Sequence, residues 1–213
     1  RVIREDKQKK GLLYAGTETG LYISNDDGDS WQSFQMNLPI VPITDLAVKE
    51  ANLIIATQGR SLWIHDDLAL VRQGLSMNVN TSSKGKKKTE KESIKLFQPK
   101  ESYRMAGRGG RSSLTEGTNH PAGVQVNYYL PEMKDKDSVA LRFMDSNSKL
   151  IKEYTTYSKK NKLKPEAGAN SFNWDTQYDG AEELDGMILW WADLSGPKAV
   201  PGNYTVELDV NGK

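Results

Sequence analysis

Four carboxylates, Glu18, Asp45, Asp66 and Asp67, fall at the ends or turns of β-like runs, where a pair of them could act on a glycosidic bond. That chemistry needs two carboxyl groups held about 5 to 10 Å apart across a sugar-binding cleft. Nothing in the spacing pairs two of these acids, so solvated turn acids are the expected state of each. Metal ligation is served no better. His65 and His120 are the only histidines, they fall in different expected domains, and no second ligand stands at helical or strand spacing from either. The acidic turn Asn25-Asp26-Asp27-Gly28-Asp29 has the composition of a calcium loop, yet the first ligand position would be Ile23, which excludes the EF-hand pattern. The chain has no cysteine, hence no thiolate nucleophile and no disulfide framework. No Gly-x-Ser-x-Gly elbow is present. The expectation is therefore no catalytic residue, no metal and no cofactor in these residues.

Charge narrows the partners. Lys and Arg total 29 against 28 Asp and Glu, a formal net charge of +1, which implies neither nucleic acid nor an acidic membrane surface. The lysines cluster in Ser82-Ser83-Lys84-Gly85-Lys86-Lys87-Lys88, within a Ser-, Asn-, Thr- and Lys-rich stretch that lacks apolar periodicity. No aromatic residue interleaves those lysines as a stacking platform for bases would require. Gly107-Arg108-Gly109-Gly110-Arg111 is a single RGG-like segment, expected as a connection between strands. No apolar run reaches the 18 or so residues of a membrane span. The chain opens at Arg1 with neither an initiator Met nor a signal segment, which reads as a piece of something longer.

The elements that would position any such chemistry are β-strands. Ser24-Asn25-Asp26-Asp27-Gly28-Asp29-Ser30-Trp31 fills every fixed position of the pattern Ser/Thr-x-Asp-x-Gly-x-Ser/Thr-Trp. The residue types suit a braced turn: Asp26 can accept backbone N–H groups, Gly28 can take φ > 0, and Trp31 can fold back over the hairpin. A self-match sets Leu13-Tyr14-Ala15-Gly16-Thr17 on Leu53-Ile54-Ile55-Ala56-Thr57, and Leu21-Tyr22-Ile23 on Leu62-Trp63-Ile64. The period of about 40 to 41 residues is that of a four-stranded propeller blade. Strands are expected at Leu12 to Gly16, Gly20 to Ser24, Trp31 to Phe34, Ile43 to Val48, Leu53 to Thr57 and Ser61 to His65. The eight-residue stretch resembles the Asp-box of sialidase-like and sortilin-like β-propellers. That resemblance implies Ser24, Asp26, Gly28, Ser30 and Trp31 as structural residues on the outer rim of a blade, away from the central pocket. Two partial blades cannot close a ring, so the remainder of the propeller is expected upstream.

Beyond the Lys-rich stretch, strands resume at Gly123 to Leu130, Ser138 to Phe143, Leu150 to Thr155, Gly168 to Asp175 and Pro201 to Leu208. Their spacing suggests a β-sandwich. Asn119-His120-Pro121-Ala122-Gly123, Asn170-Ser171-Phe172-Asn173-Trp174-Asp175 and Pro201-Gly202-Asn203-Tyr204-Thr205-Val206 together resemble large exported bacterial proteins with sortilin-like, BNR-type (Asp-box) repeats, often labelled glycosyl hydrolase. In that group the propeller is followed by an Ig-like module similar to that of the flagellar hook-capping protein. The resemblance implies an all-β chain: the last one to two blades in 1–73, a flexible linker in 74–94 and an Ig-like β-sandwich in 95–213. It also implies export from a bacterium. Trp190 and Trp191 could stack on a glycan or line an interface; on a strand they would point to opposite sides, with one packed in the core. The leading expectation is a non-catalytic, structural or ligand-binding part of a larger protein, holding a glycan or a peptide. The alternatives are a glycoside hydrolase whose carboxylates lie mainly upstream, and a sortilin-like propeller that binds peptide in its tunnel.

Overall fold

The computed structural model describes residues 1–73, 93–104, 122–182, 186, 188, 190–191 and 193–213. They form a nearly all-β chain of antiparallel sheets, none closed into a barrel, with one helix of four residues among them. The chain divides into two compact units, Arg1–Lys88 and Thr89–Lys213. The lysine cluster, Gly107 to Arg111 and His120 lie outside the described residues.

In the first unit β1 (Val2–Glu5), β2 (Leu13–Gly16), β3 (Leu21–Ser24) and β4 (Gln32–Ser33) make a four-stranded meander. A second sheet follows from β5 (Ile43–Lys49), β6 (Asn52–Thr57) and β7 (Leu62–His65), and the unit ends in α1 (Ala69–Arg72). β1 and α1 are absent from the sequence reading. Val-Ile-Arg-Glu is too short and too charged to show as a strand, and β1 exists because its residues pair with β2 from Val2↔Gly16 to Glu5↔Leu13. The helix is too short for a 3.6-residue period to register; the Asp67 carboxylate, through Oδ1, accepts the Ala69 N–H at 2.8 Å to start it. The expected strand Trp31 to Phe34 contracts to Gln32–Ser33, although the Phe34 N–H still donates to the Leu21 carbonyl at 2.9 Å.

The two sheets repeat each other pair by pair. Tyr14↔Ile23 and Gly16↔Leu21 in the first correspond to Ile54↔Ile64 and Ala56↔Leu62 in the second. On the opposite face, Ala15↔Tyr22 corresponds to Ile55↔Trp63, and Ile3↔Ala15 to Leu46↔Ile55. The faces are not used alike. The first sheet buries Tyr14, Leu21 and Ile23; the second buries Leu46, Leu53 and Ile55, and the two sets share one core. The front of one repeat therefore packs on the back of the next. Gly16 allows the close approach: a Cβ there would come within 2.5 Å of Ile43 Cγ2 and 2.9 Å of Val2 Cγ1.

The second unit is built from β8 (Lys95–Leu96), β9 (Val124–Leu130), β10 (Val139–Met144), β11 (Leu150–Thr155), β12 (Gly168–Trp174) and β13 (Thr205–Val210). They form two three-stranded sheets, β12-β9-β8 and β11-β10-β13. Both sheets feed one core that holds Val126, Tyr128, Leu141, Phe143 and Trp174. At its centre the Phe143 and Trp174 rings stack with centroids 4.5 Å apart, and Tyr204 meets Trp174 edge-on at 5.7 Å. Away from that core, Arg142 on the central strand β10 reaches Glu153 on β11 at 2.7 Å and Asp209 on β13 at 3.1 Å.

Candidate functional site

The turn between β3 and β4 gathers its own hydrogen bonds. Asp26 Oδ1 accepts the Ser24 hydroxyl at 2.7 Å and the Ser30 N–H at 2.9 Å, and Oδ2 accepts the Ser30 hydroxyl. Ser24 Oγ in turn accepts the Gly28 N–H at 2.9 Å, and the Trp31 Nε1–H donates to the Gly28 carbonyl at 3.0 Å. Gly28 sits at φ +96, the left-handed region its missing Cβ makes accessible. Hydrogen bonds from Ser30 and then Ser24 hold the Asp26 carboxyl below the ordinary aspartate range. A carboxylate with both oxygens so engaged is a brace, not a base. Asp26 is nevertheless solvent-exposed, while Ser24 is buried beneath it.

The other acids are held separately. Glu18 accepts from two Arg1 guanidinium nitrogens, Nε at 2.5 Å and Nη2 at 2.6 Å, and this contact lowers its pKa. Asp45 accepts Arg4 Nη2 at 2.8 Å and its own neighbour's amide, the Leu46 N–H, at 2.8 Å. Asp67 is engaged at the start of α1, and Asp66 adjoins His65 in sequence. The His65 ring meets Phe34 edge-on at 5.4 Å; burial lowers its pKa, opposed by the charges of Asp67 and Asp66. No group of three or more His, Cys, Asp or Glu that could hold a metal occurs among the described residues.

A buried ion pair that the sequence reading missed joins the two ends of the first unit. Asp6 is 4% exposed, and its carboxylate oxygens both lie 3.0 Å from Arg72 Nε. The Tyr14 hydroxyl donates to Asp6 Oδ2 at 3.2 Å, and the Gln8 and Lys9 amides donate to Oδ1. Burial first, and the Asp6 charge second, push the Tyr14 hydroxyl well above the usual phenol range. The set resembles a catalytic cluster in composition, but it is closed to solvent and fully committed to holding α1 on β2.

Trp190 and Trp191 depart from the expected arrangement. Neither packs in a core: they are 85% and 92% exposed, and Trp191 takes φ +63. The alternation of an extended strand does not operate at a residue in the left-handed region, so the in-and-out argument fails there. The buried tryptophan of the second unit is Trp174. It lies in an open cleft of about 700 Å³ lined by residues 98–104 and by Val126, Phe143, Asp175, Lys198, Asn203 and Tyr204 among others. Trp174 Nε1 is buried without a hydrogen-bond partner among the described residues. The alternating pattern of residues 168–174 carried the signal for this buried aromatic; the cleft itself arises only where five separate stretches converge, 98–104, 122–126, Phe143, 174–176 and 198–206.

No protein-family model, curated protein or solved structure matches the chain. No helix among the described residues is long and apolar enough to cross a membrane.

Proposed function

We propose that the chain is a non-catalytic part of a larger exported bacterial protein, in which residues 1–73 supply two blades of a β-propeller and residues 95–213 an Ig-like β-sandwich. The observation that carries this reading is the register. Two consecutive sheets one repeat apart align pair for pair and stack front to back, which is how propeller blades follow one another. The Asp-box residues Ser24, Asp26, Gly28, Ser30 and Trp31 add their local geometry. In the second unit, the Tyr204 hydroxyl donates to the Val200 carbonyl four residues upstream, a tie of the kind that forms the tyrosine corner of Ig-like sandwiches. Export and the sortilin-like, BNR-type kinship rest on the sequence resemblance alone. Robust glycosidase turnover that disappears on replacing Glu18, Asp45, Asp66 or Asp67 would overturn the non-catalytic reading; its absence with an intact fold supports it.

A ligand-holding role for the second unit is favoured by the cleft. The partly exposed Tyr204 ring beside the polar groups of Asp175, Lys198 and Asn203 suits the mixed apolar and hydroxylated faces of a glycan, with the buried Trp174 supporting Tyr204 from beneath. Calorimetric titration of the chain with a panel of soluble oligosaccharides and peptides tests this reading, with Lys198→Ala and Asn203→Ala as variants that should weaken any binding found. Heats indistinguishable from dilution across the panel would remove it.

A further inference from the structure

The second sheet of the first unit leaves uncovered the face that its predecessor buries. Tyr14, Leu21 and Ile23 of the first repeat are 0%, 0% and 4% exposed. Their counterparts are Ile54, Leu62 and Ile64. Leu62 is 70% exposed, Ile64 58%, and Ile54 only half-buried. The first sheet shows the converse. Its back carries Ile3, 57% exposed, with Ala15 and Tyr22 half-buried, whereas the equivalent Leu46 and Ile55 are 2% and 3% exposed and Trp63 packs against the core. One chain thus displays both halves of an interface whose completed form lies inside it.

We propose that the face of Ile54, Ala56, Leu62 and Ile64 is a docking surface for a further sheet of this same repeat, which it receives by that sheet's back. The inference rests on the propeller reading and adds to it a direction and a set of contact residues. The internal junction is the template: an aliphatic row, Leu46 and Ile55, with the aromatic Trp63, gathered into one core with Tyr14, Leu21 and Ile23. The contact is heterologous, because front and back are different surfaces; two fronts would set Leu62 and Ile64 against their own copies, a pairing the internal junction never makes. Apolar side chains this exposed on a regular sheet face are the mark of a surface that meets a partner.

A second copy of the full chain carries a suitable back face and serves as the probe. Sedimentation velocity over a concentration series is expected to give a mass rising from one chain to several. Ile64→Asp removes the front and Ile3→Asp the back; both residues are exposed in the single chain, so circular dichroism should show the fold kept. Each variant alone is expected to stay monomeric. Their mixture should form a dimer and stop there, since each supplies the one face that the other lacks. A wild-type chain that stays monomeric at every concentration, variants that still associate alone, or a mixture that does not pair would each overturn the proposal. The propeller reading fails by a different result, namely a Gly16→Ala variant with unchanged stability, which would deny the front-to-back stacking inside the chain.

Discussion

Asp6 and Arg72 are 66 residues apart in the chain, and the guanidinium of one closes over both carboxylate oxygens of the other at 3.0 Å. The Asp6 side chain is wholly buried and that of Arg72 nearly so, at 11% exposure. Arg72 continues outward, through Nη1 to Gln8 Oε1 at 2.8 Å and through Nη2 to the Glu50 carbonyl at 2.9 Å. One side chain of α1 thus ties together the loop after β1 and the turn between β5 and β6.

Removing one partner leaves a buried charge without its counter-ion. Arg72→Ala is expected to cost about 3 to 5 kcal/mol in urea unfolding, far more than a surface pair. Arg72→Ala combined with Asp6→Asn should cost less than Arg72→Ala alone, because the stranded charge is gone. Equal losses for the single and the double variant would show that the carboxylate is not the source of the penalty.

Asp26→Ala removes three acceptor contacts from an exposed turn, where water replaces much of what is lost. The expected loss is about 1 kcal/mol, near the net value of an ordinary hydrogen bond. The charged form is the one stabilised, so this contribution is complete above the ordinary aspartate pKa of about 3.9 and fades as pH falls through the lowered value. Wild type and variant should therefore differ in melting temperature at neutral pH and converge as pH falls below the ordinary aspartate value. A difference that persists unchanged in acid would assign the effect to packing.

Gly16→Ala places a methyl group against Ile43 and Val2, both on the shared core of the two sheets. Overpacking of this kind costs roughly 1 to 3 kcal/mol. Gly202→Ala is the control: the nearest side-chain atom to its added Cβ is Tyr204 Cε2 at 3.9 Å. Equal denaturation midpoints for the two variants would contradict the tight approach.

Alkaline titration followed at 295 nm should resolve the nine tyrosines into an early and a late group. Burial pushes Tyr128 up to about 12, and Tyr14 and Tyr154 are also raised, burial being the first cause in each. These hydroxyls favour the protonated form in the fold. Their contribution is complete below the unfolded tyrosine value of about 10 and is lost as pH rises above it. The late phase is expected to coincide with loss of near-ultraviolet ellipticity. Complete ionisation of all nine with the ellipticity intact would refute the burial.

What could be read in the residues was local. The turn from Ser24 to Trp31 was legible because all its partners lie within eight positions, and β2, β3, β6 and β7 were legible from the repeat because a period of two survives in short strands. Ion pairing of Asp6 with Arg72 left no trace, since nothing near either residue announces a partner a whole sheet away. The same holds for the cleft beside Trp174, assembled from five separated stretches. Trp190 and Trp191 misled for a different reason: the extended geometry that makes neighbours alternate was assumed at a residue that takes φ +63.

The link from Arg142 to Glu153 and Asp209 bears on an error that hydrophobic patterning cannot reject. A strand displaced by one residue turns its apolar side chains outward and is excluded at once. Displacement by two preserves inside and outside, and the core alone barely discriminates against it. In the β10–β11 pair that slip would set Thr155 opposite Arg142 in place of Glu153, leaving the half-buried guanidinium without its directly opposed carboxylate. The charged trio thus acts as a proofreading mark on the central strand, heard only when the sheet has closed in the wrong place.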